Sequence, residues 1–346
     1  MRDNLVTVSC MTYNHEPYIT DALNGFAMQQ TSFPFVCTII DDASTDRNAE
    51  VIRNYVSENF DLQDTSIAYE KDMDYGHVTF ARHKTNENCY FAVIYLKENH
   101  YSQKKSKTPY IKEWNDNVKY IAICEGDDYW TDPLKLQKQV DFLEGHEDYS
   151  MCCTAFSQTF NGKEDEKTNV VYDLDEIAID EILRGCWIGT LTTLFRRDRL
   201  TDYRPPFQNL PFGDLPLWCH LSLKGKIKYI RDVTANYRSL ASSACHFTDS
   251  EKQFKFGLDT MRVREYYAIL ADKMDVAQPI FSKKSHYYFE QCYKNKWFDF
   301  PMDTLWHFVK EYGHPSGYDR LKCWGMKSRL RYSVASAILK LIKRVM

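Results

Sequence analysis

The chain has 346 residues, of which 44% are hydrophobic and 27% are charged, and its formal net charge is −4. This composition is typical of an ordered globular protein and excludes an intrinsically disordered chain. The near-neutral charge argues against a nucleic-acid partner, and the length fits one large domain or one domain with an appendage.

The cysteines and the apolar segments indicate the compartment. Eleven cysteines occur without C-x-x-C spacing, and the adjacent pair Cys152 and Cys153 is poorly placed for a disulfide within one strand. The opening MRDNLVTVSC lacks the apolar core of a signal peptide, and no stretch approaches the ~20 consecutive apolar residues of a membrane span. We therefore expect free thiols, a cytoplasmic location and no integral membrane segment.

The first sixty residues alternate between strand and helix patterns. Residues 4–14 begin as a β-rich apolar run, and residues 17–30 carry apolar side chains at helical spacing. Residues 33–40 form a nearly continuous apolar run, typical of a parallel strand buried on both faces, and residues 48–59 again predict a helix. Short connections between these elements predict βαβ units and a parallel sheet.

The middle of the chain is less regular. Residues 66–70 predict a short strand, residues 78–96 mix helix and strand signals, and residues 102–110 form a basic, polar segment that we interpret as a loop. Residues 119–128 predict a buried strand that ends in acidic residues. Residues 131–146 form the clearest helix pattern in the chain.

The next hundred residues predict further strands and one helix. Strands are expected at 150–160, 187–197 and 226–230, an acidic loop at 163–176 and a capped helix at 212–225.

From about residue 250 the strand patterns stop and helical patterns follow to the end of the chain. The sequence therefore predicts an α/β domain at 1–247, with a mostly parallel sheet flanked by helices, and a helical C-terminal region at 248–346.

Three polar clusters follow predicted strands of the sheet. They are MTYN at 11–14, DDASTD at 41–46 and EGDD at 125–128. In open parallel α/β sheets, ligands bind outside the carboxyl ends of the strands. We therefore expect these clusters to form one site.

The ordered motifs VTVSCMTYNHEPYITDALNGFAMQQ, FVCTIIDDASTD and YIAICEGDDYWTDPLKLQKQVDFL resemble the family 2 inverting glycosyltransferases of the GT-A fold, of the bacterial polysaccharide type. The resemblance covers residues 4–240. It implies transfer of a sugar from a nucleotide-diphosphate sugar, with UDP as the expected nucleotide, to a glycan or a lipid-linked acceptor in cell-surface polysaccharide synthesis.

The resemblance also implies roles for individual residues. Asp42 would accept a hydrogen bond from a uracil-type base, and Thr12 and Tyr13 would line the same nucleotide pocket. Asp128 would coordinate a divalent metal bridging the donor diphosphate, and Asp127 would accept hydrogen bonds from ribose or the donor sugar.

A metal is chemically suited to this site. A departing nucleoside diphosphate gains negative charge, which Mg²⁺ or Mn²⁺ held by hard oxygen ligands neutralises. Gly126 lets the backbone approach the ligand closely. The letters EGDD do not determine which acid touches the metal.

Basic residues of the donor site are assigned from the same resemblance. Arg82, in FARHKTN, would match a donor-binding basic residue. Arg238 and His246, in NYRSLASSACH, would belong to a segment that folds over the diphosphate.

Inversion requires a general base that deprotonates the acceptor hydroxyl. The motif PFGDLPLW resembles the family's later acidic motif and implies Asp214 as this base. An aspartate at the start of a helix is also a common N-cap, so both interpretations stay open here.

The C-terminal segment 327–346 has six basic and no acidic residues. Apolar side chains recur at helical intervals, namely at Leu330, Val334, Ile338, Leu341 and Val345. Such a helix can lie in an anionic membrane interface, or it can be a final helix docked on the protein body.

Two other functions are compatible with an α/β nucleotide site. One is a sugar-nucleotide-forming nucleotidyltransferase, although CMTYNHE lacks the glycines of a phosphate loop. The other is a non-catalytic nucleotide-sugar-binding protein, which the set of acids disfavours. A dehydrogenase is disfavoured because no GxGxxG follows the first strand.

Overall fold

The chain divides into two sets of residues, each with its own internal packing. A computed structural model describes residues 5–160, 163–241 and 249–345. The first unit comprises residues 1–178, 187–203 and 221–243, and the second comprises residues 179–186, 204–220 and 244–346.

The described elements follow the chain in a strand–helix alternation that gives way to helices. The strands are β1 Val6–Thr12, β2 Phe35–Asp41, β3 Phe60–Asp61, β4 Tyr69–Met73, β5 Gly76–His83, β6 Cys89–Leu96, β7 Tyr120–Ile123, β8 Tyr129–Trp130, β9 Tyr149–Phe160, β10 Lys163–Val170, β11 Leu194–Arg196 and β12 Lys226–Ser239. The helices are α1 Ile19–Ala27, α2 Asn48–Asn59, α3 Thr108–Asn115, α4 Lys135–Gly145, α5 Ile179–Arg184, α6 Asp214–Lys224, α7 Ser250–Leu270, α8 Met274–Asn295, α9 Met302–Tyr312, α10 Gly317–Met326 and α11 Arg329–Val345.

All the described strands belong to one sheet in the first unit. Its order is β3-β5-β6-β2-β1-β7-β11-β9-β12-β8, with β4 paired to β5 and β10 paired to β9. The central strands β6, β2, β1 and β7 run parallel, as do β9 and β12. The mostly parallel α/β sheet predicted from the sequence is therefore confirmed.

Strand β2 shows why its sequence is apolar at nearly every position. Phe35, Cys37 and Ile39 pack into a core with α1, α2 and α4, whereas Val36 and Ile40 pack into a second core with α3. Successive side chains of a strand point to opposite faces. A strand covered by helices on both faces must therefore be apolar on both.

Three regions differ from the sequence prediction. The mixed signals of residues 78–96 come from two antiparallel strands, β5 and β6. The predicted acidic loop at 163–176 contains β10, which pairs antiparallel with the C-terminal half of β9. The predicted strand at 187–197 contains a 3₁₀ turn at Thr190–Thr192 followed by the short β11.

The second unit has a helical core of its own. Buried side chains of α5, α7, α8, α9 and α10 form one apolar cluster, which includes Leu258, Phe281 and Phe308. The unit includes residues 179–186 and 204–220 as well as the C-terminal helices, whereas the sequence assigned those two segments to the domain at 1–247. Within the described part of the chain, no helix has the length and apolar character needed to cross a membrane.

Candidate active site

The three polar clusters meet at one edge of the sheet. The parallel register pairs Thr12, at the end of β1, with Asp41 at the end of β2. The amide of Asp42 donates to the carbonyl of Thr12 at 3.0 Å, and the amide of Gly126 donates to the carbonyl of Met11 at 2.9 Å. The ends of three strands are thus joined by main-chain hydrogen bonds.

A buried polar network shapes the first two turns. The Thr12 hydroxyl donates to Oδ1 of Asn48 at 3.2 Å, and Nδ2 of Asn48 donates to Oδ1 of Asp41 at 2.6 Å. Oδ2 of Asp41 accepts from the amide of Ser44 at 3.2 Å. Thr12 is buried, but the neighbouring Tyr13 side chain is 40% exposed and is available to a ligand.

Asp42 is buried and is held by residues 100–107, which overlap the loop predicted at 102–110. One carboxylate oxygen accepts from the amide of His100 at 2.8 Å. The other accepts from the amide of Tyr101 at 3.0 Å and from Nζ of Lys107 at 2.9 Å. A base bound to Asp42 must therefore share these oxygens with residues 100–107 or displace one of their bonds. The basic residues at 102–110 were the available signal for this contact.

Arg238 holds the turn that contains the paired acids. Its backbone amide donates to Oδ1 of Asp128 at 2.7 Å, and its Nη1 donates to the carbonyl of Asp127 at 3.0 Å. The buried guanidinium also pairs with Asp21 of α1 and lies 4.3 Å from the ring centre of Tyr129. The structure therefore brings Arg238 together with both acids.

The surroundings of Asp128 in the EGDD turn raise the pKa of its carboxyl group. Burial raises the pKa of Asp128 well above its usual value, and the charges of Asp127 and Glu125 raise it further. The bond from the Arg238 amide acts in the opposite direction and lowers that pKa. A cation beside this carboxylate would offset both the burial cost and the repulsion.

Glu125, the first acid of this turn, contacts a residue from another part of the chain. Oε2 of Glu125 accepts from the hydroxyl of Thr190 at 2.9 Å. The same 3₁₀ turn is held from the core, because Nε1 of Trp130 donates to the carbonyl of Leu191 at 2.8 Å. A Cβ at Gly126 would lie 2.7 Å from the side chain of Thr12, so only glycine fits there.

His15 joins this group, although the sequence analysis did not select it. Its Nε2 lies 3.9 Å from Oδ2 of Asp127. Burial lowers the pKa of His15, and the charge of Asp127 partly opposes that effect. Its place directly after MTYN was the signal that could have identified it.

The structure places Arg82 away from this site. Strand β5 runs antiparallel to β6 and pairs Arg82 with Tyr90, which in turn pairs with Val36 at the start of β2. Arg82 therefore lies at the amino ends of the parallel strands, where its Nη2 is 3.7 Å from Asp64. The structure therefore does not bring Arg82 together with the three polar clusters, and its role in donor binding stays a prediction.

Asp214 belongs to the second unit, where it is the first residue of α6. Its side chain is half-buried, and Oδ1 accepts from the amide of Leu215 at 2.8 Å. Burial raises the pKa of Asp214, which is the direction expected for a carboxylate acting as a base near neutral pH. His246 lies outside the described residues.

Both the sequence and the fold of this chain are similar to those of known proteins. The model of the family described as glycosyl transferase family 2 matches residues 7–199. Two relatives, the uncharacterized proteins Rv1520 of Mycobacterium tuberculosis (strain ATCC 25618 / H37Rv) and Mb1547 of Mycobacterium bovis (strain ATCC BAA-935 / AF2122/97), are each 28% identical over 254 residues. That match covers 71% of this chain and spans 63% of each relative.

Two crystal structures of S. aureus TarS 1-349 share the fold. The complex with UDP-GlcNAc has a TM-score of 0.56 at 15% identity, covering 96% of this chain and 87% of that one. The complex with UDP has a TM-score of 0.55 at 14% identity, covering 97% of this chain and 91% of that one.

Proposed function

Because the chain belongs to glycosyl transferase family 2 and is thus a glycosyltransferase of the GT-A type, we propose that it transfers a sugar, with inversion, from a UDP-sugar to a hydroxyl of a glycan or lipid-linked acceptor. The observation that carries this proposal is the convergence of Thr12, Asp42 and Asp128 at the carboxyl edge of the sheet. This is where open α/β sheets bind their ligands.

UDP is the proposed nucleotide. Asp42 reads the base, and Thr12 and Tyr13 line the nucleotide pocket. Asp127, Arg238 and His246 complete the donor site. The TarS structures were solved with UDP-GlcNAc and UDP, which supports a uridine nucleotide in a related fold. The identity of the transferred sugar is left open by this proposal.

Mg²⁺ or Mn²⁺ is the proposed cofactor, with Asp128 as its protein ligand. The residues present fit a hard cation, since the turn offers carboxylate oxygens on adjacent residues. Burial raises the pKa of Asp128, as do the charges of Asp127 and Glu125, and a bound cation would offset these effects. When bound, such an ion would neutralise the charge that develops on the departing diphosphate.

Asp214 is the proposed general base. A carboxylate whose pKa is raised by burial accepts a proton from an acceptor hydroxyl more readily than an exposed one. Since family 2 membership implies transfer to an acceptor, it favours this reaction over the synthesis of sugar nucleotides.

The proposed setting is cell-surface polysaccharide synthesis at the cytoplasmic face of a membrane, with α11 lying in an anionic interface. Four apolar side chains of this helix are exposed, namely Leu330, Val334, Ile338 and Leu341. Segment 327–346 supplies only basic charges, which complement anionic lipid.

A screen of nucleotide-sugars tests the function directly. We expect one UDP-sugar to release UDP in the presence of Mn²⁺ or Mg²⁺, and EDTA to stop the release. Asp214→Asn should abolish transfer to an acceptor but retain binding of UDP, which calorimetry measures. Asp198→Asn, at an exposed aspartate, is the matched control.

Two results would contradict the proposal. Full transfer activity in the Asp214→Asn protein would show that Asp214 is not the general base. Failure of every nucleotide-sugar to bind, in a protein that remains folded, would remove the donor site.

A further inference from the structure

The helical unit contains a large cavity that the proposed reaction does not use. It lies among α8, α10 and α11 and has a volume of about 1070 Å³. Charged, aromatic and hydroxyl side chains line it, and its charged members include Glu290, Lys294, Asp319, Lys322, Lys340 and Lys343. A space of this size accommodates a substituted saccharide.

The charges of the cavity are unbalanced. Glu290 pairs with Lys322, and the Asp319 carboxylate is held by the amide and hydroxyl of Ser316 in a helix cap. Lys294, Lys340 and Lys343 also line the cavity, and none of the three forms an ion pair with any residue that the structure describes. The cavity therefore carries excess positive charge that can bind an anion.

Two carboxylates and one imidazole of the cavity wall also form a group that could bind a cation, but their contacts argue against a metal site. His286, Glu290 and Asp319 place ligand atoms within 4.8 Å of one another. Glu290 is already paired with Lys322, and Asp319 is committed to its helix cap. An anion that contacts the lysines requires no such rearrangement.

Tyrosines and hydroxyls form another part of the wall. The rings of Tyr293 and Tyr332 lie 4.8 Å apart, and the Tyr293 hydroxyl is 2.9 Å from the hydroxyl of Ser336. Tyr318, also on the wall, is 41% exposed. Aromatic faces with hydroxyl groups beside them suit the C–H surfaces and hydroxyls of a sugar or polyol.

The cavity borders the exposed apolar face of α11. Tyr332, Ser336 and Leu339 face the cavity, while Leu330 and Leu341 are 77% and 61% exposed. By helical spacing, Lys343 lies on the same face as Tyr332 and Ser336, and Lys340 lies at the edge of that face.

We propose that this cavity binds a phosphate ester of a saccharide or polyol, with Lys294, Lys340 and Lys343 contacting the phosphate and the tyrosines contacting the ring or chain. The ester belongs either to a soluble sugar phosphate or to the headgroup of an anionic lipid. The inference extends the proposed function, because it gives the acceptor or the membrane a defined anchoring site on the helical unit.

Binding to the full chain tests the site. Glucose 1-phosphate and inositol 1-phosphate are titrated by calorimetry, with glucose, inositol and inorganic phosphate as comparison probes. We expect the phosphate esters to bind more tightly than inorganic phosphate, and glucose and inositol not to bind. Lys340→Gln with Lys343→Gln should weaken binding roughly tenfold.

A matched control separates the cavity from net charge. Lys252→Gln with Lys283→Gln removes the same charge from exposed positions of the same unit outside the cavity. Equal weakening by both double variants, or no binding of either ester to the wild type, would overturn the proposal. Lys294→Gln, on a different helix, gives an independent measurement if the first double variant does not fold.

Vesicles identify the source of the ester. Cosedimentation is measured with phosphatidylcholine vesicles that contain or lack phosphatidylinositol. Loss of binding in the cavity variant and in Leu330→Ser with Leu341→Ser supports a lipid headgroup. Binding of soluble esters with no cavity effect on vesicles supports a soluble sugar phosphate. Metal-dependent UDP release by the same cavity variant tests the proposed function separately.

Discussion

The backbone amide of Arg238 donates a hydrogen bond of 2.7 Å to Oδ1 of Asp128, although 110 residues separate the two in sequence. The end of strand β12 thereby fixes the carboxylate that we propose as the metal ligand. Nη1 of the same arginine donates to the carbonyl of Asp127, the preceding residue of the turn. Positioning of the acids thus depends on β12, the strand that pairs with β8 directly after the acidic turn.

Asp128→Asn tests the metal ligand. Asparagine keeps the Oδ1 acceptor for the Arg238 amide but removes the negative charge, so the fold should persist. We expect metal-dependent turnover to fall at least about 100-fold, equivalent to ~2.7 kcal/mol in the barrier. The rise in melting temperature on adding Mn²⁺ with UDP should also disappear.

Asp132→Asn is the control for this change, because Asp132 lies in the same stretch but bonds to the Leu134 amide and to Lys138. Turnover at the wild-type rate in the Asp128→Asn protein would show that the metal has another ligand.

Gly126→Ala tests the close approach of β1 to the acidic turn. A Cβ at this position would lie 2.7 Å from Cβ and Oγ1 of Thr12 and 3.0 Å from Cδ1 of Ile19. We expect the free energy of unfolding to fall by about 1–3 kcal/mol, as for other overpacked sites, together with donor affinity. Chemical denaturation and donor titration measure the two effects.

Gly145→Ala provides the comparison, since no atom lies within 4 Å of a Cβ built there. An alanine at 126 that leaves both stability and donor affinity unchanged would show that the turn can move away from Thr12.

Lys107→Met tests the segment that holds Asp42. The Lys107 ammonium lies 2.9 Å from Oδ2 of Asp42, with both side chains largely buried. Removing it leaves the aspartate with two backbone donors, so we expect a loss of stability on the order of 2 kcal/mol. The donor KM should rise roughly tenfold, since the carboxylate that we propose as the base reader loses its orientation.

Lys105→Met removes the same charge from an exposed pair with Glu98 and should change neither quantity. If the Lys107 variant keeps the donor KM of the wild type, residues 100–107 do not contribute to nucleotide recognition.

Lys135 predicts a specific dependence of stability on pH. It is fully buried beside Trp130 and Gln139, and burial lowers its pKa from 10.5 to about 8. Between pH 8 and pH 10.5 the unfolded chain therefore binds more protons at this lysine than the folded chain does. The contribution of Lys135 to the free energy of unfolding is thus highest above pH 10.5, and it falls as the pH decreases from 10.5 to 8. The difference between these two pKa values corresponds to about 3 kcal/mol in the free energy of unfolding.

Lys135→Met should remove this dependence, which denaturant unfolding at pH 7.5, 9 and 10.5 measures as the difference between the two proteins. The variant also leaves Oε1 of Gln139 without its donor, at a cost of about 1–3 kcal/mol that does not vary with pH. Parallel stability curves for the two proteins would contradict the assignment of a depressed lysine pKa.

Local patterns identified most of the framework. The helix predicted at 48–59 is α2 with the same bounds, because helical spacing is a property of neighbouring residues. The hairpin of β5 and β6 was not resolved from the sequence, since two adjacent apolar strands give mixed periodicity. The position of Arg82 at the amino ends of the parallel strands follows from the direction of β5, which local patterns do not specify.

The sequence by itself determined which chemical groups end the strands of the sheet. Acids and small residues after apolar runs place Asp42, Asp127 and Asp128 at the carboxyl edge, because parallel strands end on the same side. This order of elements and these residue types are local properties, and the structure agrees with them.

Only the tertiary structure decided what those carboxylates contact. His100 and Lys107 bind Asp42 across at least 58 positions, and Arg238 reaches Asp128 across 110. A hydrogen bond requires its atoms at about 3 Å, and packing of the whole sheet sets that distance. Local sequence patterns extend over only a few residues, so they cannot specify such partners.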